Sequence, residues 1–358
     1  MYRNKRVGVN MKSDLSGYII QENTSVIDAA EAIDATKRQI IFICDGTKLL
    51  ASCSDGDLRR YILRSGDLSK SVKKVANYEP ISVKVGESAK ALQMIAENPY
   101  IRAVPVLNEN DEIVSIIFSE KTSVHRVTRL EVPVVIMAGG KGTRLAPFTD
   151  VLPKPLIPIG EMTITEHIME RFLDFGCNEF IMIINHKREL IKAYFSETPY
   201  IGSLRFIDEK EFLGTAGGLK LLTGIINETF FMTNCDTIIE ADYEDLFNHH
   251  KKTGAIITMI CALKKVSVPY GTVELDENGD PICLIEKPEY PLLTNTGLYV
   301  IEPSFLDEIP QNEHIHITEV IQRIIDKDLP VGVYPVGEAG WLDMGQLEGL
   351  SQMERSLS

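Results

Sequence analysis

The chain reads as an α/β protein, a mostly parallel sheet with helices on both faces, preceded by a smaller α+β domain. Three observations predict this. From residue 134 onward, short apolar runs alternate with stretches of helical periodicity. The first of these runs, Val134–Ala138, breaks into a glycine-rich loop, as a strand buried on both faces does where it leaves a sheet. Residues 15–68 and 77–124 repeat one β-α-β-β-α pattern, too small to close a core alone and expected to pack against its copy.

Composition narrows the class. The length of 358 residues gives two or three domains, and an apolar content of 44% suffices for sizeable cores. A net charge of −14 disfavours duplex nucleic acid, which wants a basic face, but leaves room for a nucleotide held by local cations. The six cysteines contain no C-x-x-C pair, so neither a zinc site nor a disulfide framework is expected. Reduced thiols, the lack of a cleavable leader and the lack of a bilayer-length apolar run predict a soluble, cytoplasmic protein.

In the first copy of the repeat, Tyr18–Ile20 is a strand, Ser25 opens a helix and Ile40–Cys44 is a second strand. A turn at Asp45-Gly46 and a strand around Lys48–Ala51 lead to Ser54-Asp55-Gly56-Asp57, a second helix start. The second copy runs from Ile81–Val83 through a helix after Glu87 to Ala103–Leu107 and Ile113–Ser119. Ser54 and Asp57 match Ser119 and Thr122 at a single offset. Ser123–Val132 has little apolar periodicity and reads as a linker.

Beyond it lies Val134–Gly160, the stretch the rest is organised around. Gly139, Gly140 and Gly142 interleave with Lys141, Thr143 and Arg144. Glycines let backbone approach a ligand closely, and successive N–H groups with a hydroxyl and cations make a nest for phosphate oxygens. Lys154 follows between Pro153 and Pro155, which stiffen its presentation. A P-loop would need G-x-x-x-x-G-K-[ST], which does not occur. The dinucleotide fingerprint opens directly into a helix; here prolines 147, 153, 155 and 158 follow, and no helix is expected. The object that fits is a nucleoside triphosphate.

The remaining elements continue the alternation. Ile164–Leu173 has a helical face closed by Gly176, Phe180–Ile184 is a buried strand, Lys187–Phe195 a short helix and Leu204–Asp208 a strand. Glu211-Phe212-Leu213-Gly214-Thr215-Ala216-Gly217-Gly218 predicts a helix start with free N–H groups beside the first loop. Phe230–Asp236 is a strand ending in a carboxylate, at the end where open α/β sheets bind ligands. Asp242–Lys252 is a helix and Ala255–Leu263 a strand, and Asn278-Gly279 marks a hairpin that returns Glu286-Lys287-Pro288. His314 and His316 alternate as on a strand and His249-His250 sit on a helix; both pairs read as surface or capping residues.

GGKGTRLAPFTDVLPKPLIPIG is similar to the signature loop of the sugar-1-phosphate nucleotidyltransferases, and the resemblance runs through Trp341-Leu342-Asp343-Met344-Gly345 to Leu350. It implies a Rossmann-like nucleotidyltransferase fold over residues 133–358. It also implies that Ala138, Gly139, Gly140, Gly142, Thr143, Glu211, Gly214, Thr215 and Ala216 line the nucleotide, with Glu211 a pointer to guanine. Arg144 and Lys154 are then catalytic cations, and Asp236 and Asp343 catalytic ligands of Mg²⁺. Gly271, Glu286 and Asn295 would contact sugar hydroxyls and Lys287 the sugar phosphate. Two departures stand out: Phe212 replaces the usual Pro, and Thr296 the common Ala.

The first third, 1–128, resembles a pair of CBS modules, with 129–132 as the linker. That likeness implies an adenine nucleotide at Ser54 and Asp57, tuning the enzyme; Thr122 takes the place of the second Asp. Paired CBS modules before such a transferase resemble bacterial guanylyltransferases acting on glucosamine 1-phosphate in nonulosonic (legionaminic) acid pathways. The expected reaction joins an NTP, GTP first, to a sugar 1-phosphate with release of pyrophosphate. Mannose 1-phosphate with GTP, and glucose 1-phosphate with UTP or dTTP, stay open, as does a nucleotide-sensing regulatory subunit. A homo-oligomer is expected.

Overall fold

The computed structural model describes residues 15–98, 100–119 and 130–345. They divide into two compact units, one of the described residues up to 119 together with 264–292 and 337–339, the other of 130–263, 293–336 and 340–345.

The first unit begins with β1 (Ile19–Gln21), α1 (Val26–Thr36), β2 (Ile40–Asp45), β3 (Lys48–Ser54) and α2 (Asp55–Ser65). The second copy supplies β4 (Val83–Lys84), α3 (Ser88–Glu97), β5 (Ala103–Leu107) and β6 (Ile113–Phe118). In each copy the first strand lies parallel to the second, and the second pairs antiparallel with the third. The register slips near the end of both central strands, between Ile43 and Cys44 and between Val106 and Leu107. The copies share one core, in which Phe42 and Cys44 pack with Ala103, Leu107, Ile113 and Ile116. Backbone bonds join them: Leu49 N–H to the Asp111 carbonyl at 2.9 Å, Ile113 N–H to that of Thr47 at 3.0 Å, and a reciprocal pair between Ser52 and Asn77 at 2.9 and 2.8 Å. The expected last helix of the second copy, with Thr122, lies outside the described residues, as do most of the linker and the helix expected through Leu350.

In the second unit, β7 (Val134–Ala138) is followed by α4 (Phe148–Val151), the short hairpin β8 (Pro158–Ile159) and β9 (Met162–Thr163), α5 (Ile164–Leu173) and β10 (Phe180–Ile184). Next come α6 (Arg188–Ser196), β11 (Leu204–Asp208), α7 (Gly214–Leu219), β12 (Phe230–Asn234), β13 (Thr237–Ile239), α8 (Tyr243–Thr253) and β14 (Ile257–Ser267). The chain then enters a ribbon counted with the first unit, β15 (Thr272–Leu275) and β16 (Pro281–Ile285). It ends with β17 (Glu289–Ile301), α9 (Ile317–Asp326), β18 (Val331–Gly337) and β19 (Trp341–Asp343).

Seven strands form the sheet, in the order β11-β10-β7-β12-β17-β14-β18. β11, β10, β7 and β12 are parallel, and β17 runs antiparallel to β12. Strand sequences such as Phe180-Ile181-Met182-Ile183-Ile184 are apolar throughout because both faces are covered. Val134, Ile136, Phe180 and Met182 pack with Ile164, Ile168 and Phe172 of α5 on one face. Val135, Ile181 and Ile183 pack with α7 and with Val320, Ile321 and Ile324 of α9 on the other. Each such side chain contributes about 1.5–3 kcal/mol by burial. α5 starts where the sequence demands, with Thr163 and Glu166 forming a capping box.

From β7 the chain steps outward to β10 and β11, then crosses back to β12 on the other side of β7. The loops leaving β7 and β12 therefore part at a topological switch point, the crevice where such sheets bind ligands. Two local expectations are corrected. A one-turn helix, α4, does follow the glycine loop, because Pro147 is compatible with a helix start and Pro153 only blocks its continuation. His314 and His316 are not on a strand: His316 precedes α9, and its N–H donates to Glu319 at 2.9 Å. Among the described residues no helix is long and apolar enough to cross a membrane.

Candidate active site

The loop after β7 is shaped by two close approaches. Gly142 has φ +67°, and a Cβ there would lie 2.8 Å from Thr149 Cγ2 and 3.3 Å from Lys154 Cβ. Only glycine lets the loop turn in this left-handed conformation while resting against the segment that carries Lys154. A Cβ at Gly139 would come within 2.6 Å of Glu209 Oε2, whereas one at Gly140 would meet nothing within 4 Å. Thr149 Oγ1 donates to the Gly142 carbonyl at 2.9 Å, tying α4 to the loop. Thr143, Arg144 and Lys141 are exposed, and the Lys141 ammonium stands 5.1 Å from the centre of the Phe212 ring.

At the end of β12 the structure brings together the four charged residues singled out in the sequence. Lys154 and Asp236 form an ion pair, their side chains only 13% and 14% exposed. Strand β13 pairs antiparallel with β19, setting Thr237 opposite Asp343, and Met344 N–H donates to the Asp236 carbonyl at 2.9 Å. Two carboxylates 107 positions apart thereby become neighbours. Burial raises the pKa of Asp343; the Gly345 N–H opposes the rise, the charge of Asp236 adds to it, and Lys154 and Arg144 oppose it. The Gly345 bond to Oδ1 is 2.8 Å long. Two crowded hard oxygen donors, one of them held uneasily charged, fit a divalent cation that shares phosphate oxygens.

A second acidic residue of this stretch, besides Glu211, stands against the loop. Glu211 is exposed, whereas Glu209, just past β11, is 4% exposed and lies against Gly139. Glu209 Oε1 accepts the Leu213 N–H at 3.0 Å. Burial pushes its pKa up, and the Leu213 N–H and the Asn185 amide act against this. A cavity of about 500 Å³ opens beside it, lined in part by Asn185, Lys187, Arg188 and Lys210. The signal was present in the sequence, since Glu209 follows the carboxyl end of a parallel strand.

The N–H groups expected to be free at α7 are partly used. Ala216 and Gly217 both donate to the Ile315 carbonyl, at 3.1 and 3.3 Å, and Thr215 Oγ1 accepts the Ile317 N–H at 2.9 Å. Gly214, at φ +75°, also abuts Ile315. This stretch thus seats α7 against the approach to α9.

The expected sugar residues fall in both units. Gly271, Glu286 and Lys287 are on the ribbon in the first, where a Cβ at Gly271 would lie 3.1 Å from Glu286 Oε2. Asn295 belongs to the second; its Nδ2 donates to the Tyr299 hydroxyl at 2.7 Å and its Oδ1 accepts the Gly297 N–H at 3.1 Å. Thr296 is accommodated by donating its hydroxyl to the Ile260 carbonyl at 2.8 Å. At the head of α2, Ser54 and Asp57 form a complete capping box, and the second oxygen of Asp57 pairs with Arg60. That cap accounts for both residues without a ligand.

The family described as nucleotidyl transferase matches residues 133–358. A UTP–glucose-1-phosphate uridylyltransferase of Synechocystis is 30% identical over 62% of this chain and 62% of its own length. A mannose-1-phosphate guanylyltransferase of Mycobacterium tuberculosis is 30% identical over 61% of this chain and 62% of its own. The chain thus spans a little over three-fifths of these relatives. HddC from Yersinia pseudotuberculosis, solved in complex with GMP-PN, shares the fold with a TM-score of 0.51 and 23% identity, covering 63% of this chain and all of that one.

Proposed function

The chain belongs to the nucleotidyl transferase family, and from that premise we propose that it joins a nucleoside triphosphate to a sugar 1-phosphate, releasing pyrophosphate and forming a nucleotide-sugar. The observation that carries this reading is the charge cluster of Arg144, Lys154, Asp236 and Asp343 beside a glycine loop at the switch point. In the reaction a phosphate oxygen of the sugar phosphate forms a bond to the α-phosphorus. The bond to the bridging oxygen breaks in line, and pyrophosphate carries away the electron pair. Such chemistry needs positioning and charge neutralisation more than covalent help.

The Gly139–Thr143 backbone and Arg144 would hold the β- and γ-phosphates. Lys154 would turn from Asp236 to the α-phosphate, and Lys287 would offset the charge of the incoming phosphate. Asp236 and Asp343 would hold Mg²⁺, which supplies neutralisation of phosphate charge when bound. Gly271, Glu286 and Asn295 would take the sugar hydroxyls.

GTP is the base we favour, because Glu211, set by the motif beside the nucleotide, is exposed and its carboxylate can accept from the N1 and N2 donors of guanine, which adenine lacks. The guanylyltransferase relatives support it, and the uridylyltransferase relative keeps UTP as the second reading. For the sugar, glucosamine 1-phosphate rests on the paired repeats at the N-terminus; mannose and glucose 1-phosphates rest on the relatives. An adenine nucleotide on the repeats, acting as a regulator, is part of the same proposal, as are a cytoplasmic location and a homo-oligomer.

The test is pyrophosphate release from four NTPs crossed with glucosamine, N-acetylglucosamine, mannose and glucose 1-phosphates, with Mg²⁺, repeated with ATP, ADP and AMP present. Turnover confined to GTP with glucosamine 1-phosphate is the expected result. Turnover with another pair keeps the chemistry and discards the choice of base or sugar. No turnover in any combination, with or without adenine nucleotide, overturns the reading.

A further inference from the structure

We infer that Lys187 is a positioning residue that clamps the phosphate-binding segment between Arg144 and Lys154 into its working shape, an inference that rests on the transferase reading above. Lys187 leaves β10 with φ +51° and ψ +32°, the left-handed region a side-chain-bearing residue seldom occupies. Its ammonium donates to three consecutive carbonyls, those of Thr149 at 3.0 Å, Asp150 at 2.7 Å and Val151 at 3.0 Å. An ammonium has three N–H donors, so all of them are used.

Those carbonyls close α4, a single turn that lacks the length to hold itself. α4 is the link between the glycine loop and Lys154. From its first turn Thr149 donates to the Gly142 carbonyl at 2.9 Å, and its methyl marks the limit of space at Gly142. The clamp and the loop also start from matched points of the sheet, since β7 and β10 pair in parallel with Ala138 opposite Ile184. The sheet fixes where Lys187 begins, the left-handed turn redirects its side chain, and three bonds set where α4 ends. With its donors saturated by backbone, Lys187 acts through the loop and does not itself hold phosphate.

Two variants of the full-length protein test this. Lys187→Met removes the ammonium, and Lys187→Gly does so while favouring the left-handed backbone. Hydrogen exchange of residues 143–156 is expected to speed up by about tenfold or more in both, with β10 and β12 unchanged. For the NTP, kcat/KM is expected to fall by about 10- to 100-fold, chiefly through KM, with the KM for the sugar 1-phosphate nearly constant. n-Butylammonium should restore part of the loss in Lys187→Gly and none in Lys187→Met, whose side chain fills the space. Unchanged exchange over 143–156 in both variants would overturn the inference, as would equal rises in both KM values. A wild-type protein without turnover would instead sink the transferase reading, and the exchange experiment would still decide the role of Lys187.

Discussion

Asp343 reaches the surface at the end of β19, yet its protein surroundings and the charge of Asp236 lift its pKa. A carboxylate whose pKa is higher folded than unfolded binds more protons in the native state over that interval. Stability therefore falls as pH rises through it, and the full cost stands at neutral pH. Asp343→Asn removes the charge and keeps an oxygen for the Gly345 N–H. In chelator at pH 7 the variant should melt about 1–3 °C above wild type, with the gap closing as the pH is brought below the ordinary carboxylate range. Turnover should meanwhile drop by orders of magnitude. An equal or lower melting temperature at pH 7 would show that Asp343 is not under strain in the metal-free protein. Its neighbour Lys154 makes the complementary case. Lys154→Ala strips Asp236 of its ion-pair partner in a site with little exposure and should lower stability. Mg²⁺ should raise the melting temperature of this variant by more than it raises that of wild type, because both carboxylates are then free for the ion. Equal shifts would argue against Asp236 and Asp343 as its ligands.

Among the elements, α1 carries a second strained carboxylate. Burial lifts the pKa of Asp34 to about 6; Asp55 and Glu338 push the same way, and the N–H groups of Ala339 and Glu338 oppose. A Cβ at Gly337 would collide with this carboxylate, so the contact is tight. Stability should decline as pH rises from the ordinary aspartate value of 3.8 through about 6. Asp34→Asn should flatten that decline, read by urea unfolding at pH 4.5 and 7.5; an unaltered pH dependence would remove Asp34 as its source. Which elements were legible in the sequence follows from how local their causes are. The parallel strands announced themselves because residues covered on both faces are apolar without interruption. α4 was not legible, since it is held by Lys187 from the turn after β10 and its own sequence is flanked by prolines. The sequence of the Glu211–Gly218 turn leaves its N–H groups free, because the acceptor of Ala216 and Gly217, Ile315, is remote in the chain. Glu209 is harder to read from the sequence than Glu211, which lies in the motif, because it is the fold, with β10 between β11 and β7, that sets its carboxylate against Gly139.

At the scale of the whole molecule, the feature least legible in the sequence is the membership of residues 264–292. They interrupt the second unit in the chain but are counted with the first, and they carry Gly271, Glu286 and Lys287. The fastening is ionic and non-local. Lys265 Nζ lies 2.8 Å from Asp28 Oδ1 and 2.8 Å from Glu31 Oε2, both on α1 of the first repeat, with its own side chain 16% exposed. Burial works against the charge of Lys265, but these carboxylates outweigh it and its pKa ends above the ordinary lysine value. Asp28 is lowered in return, by Lys265 first and Ser25 next. If the ribbon supplies the sugar-phosphate contacts, loosening this fastening should act on one substrate only. Lys265→Met and the double change of Asp28→Asn with Glu31→Gln should each raise the KM for the sugar 1-phosphate by about 3- to 10-fold, the equivalent of roughly 1 kcal/mol. On the proposed reading, in which the loop after β7 takes the NTP, the KM for the NTP should stay within about twofold of wild type. The two sets of changes should not add when combined, because each breaks the same contact. Steady-state kinetics with each substrate varied in turn decides the matter. A rise confined to the NTP, or full additivity, would mean that the ribbon works independently of the repeat to which it is fastened.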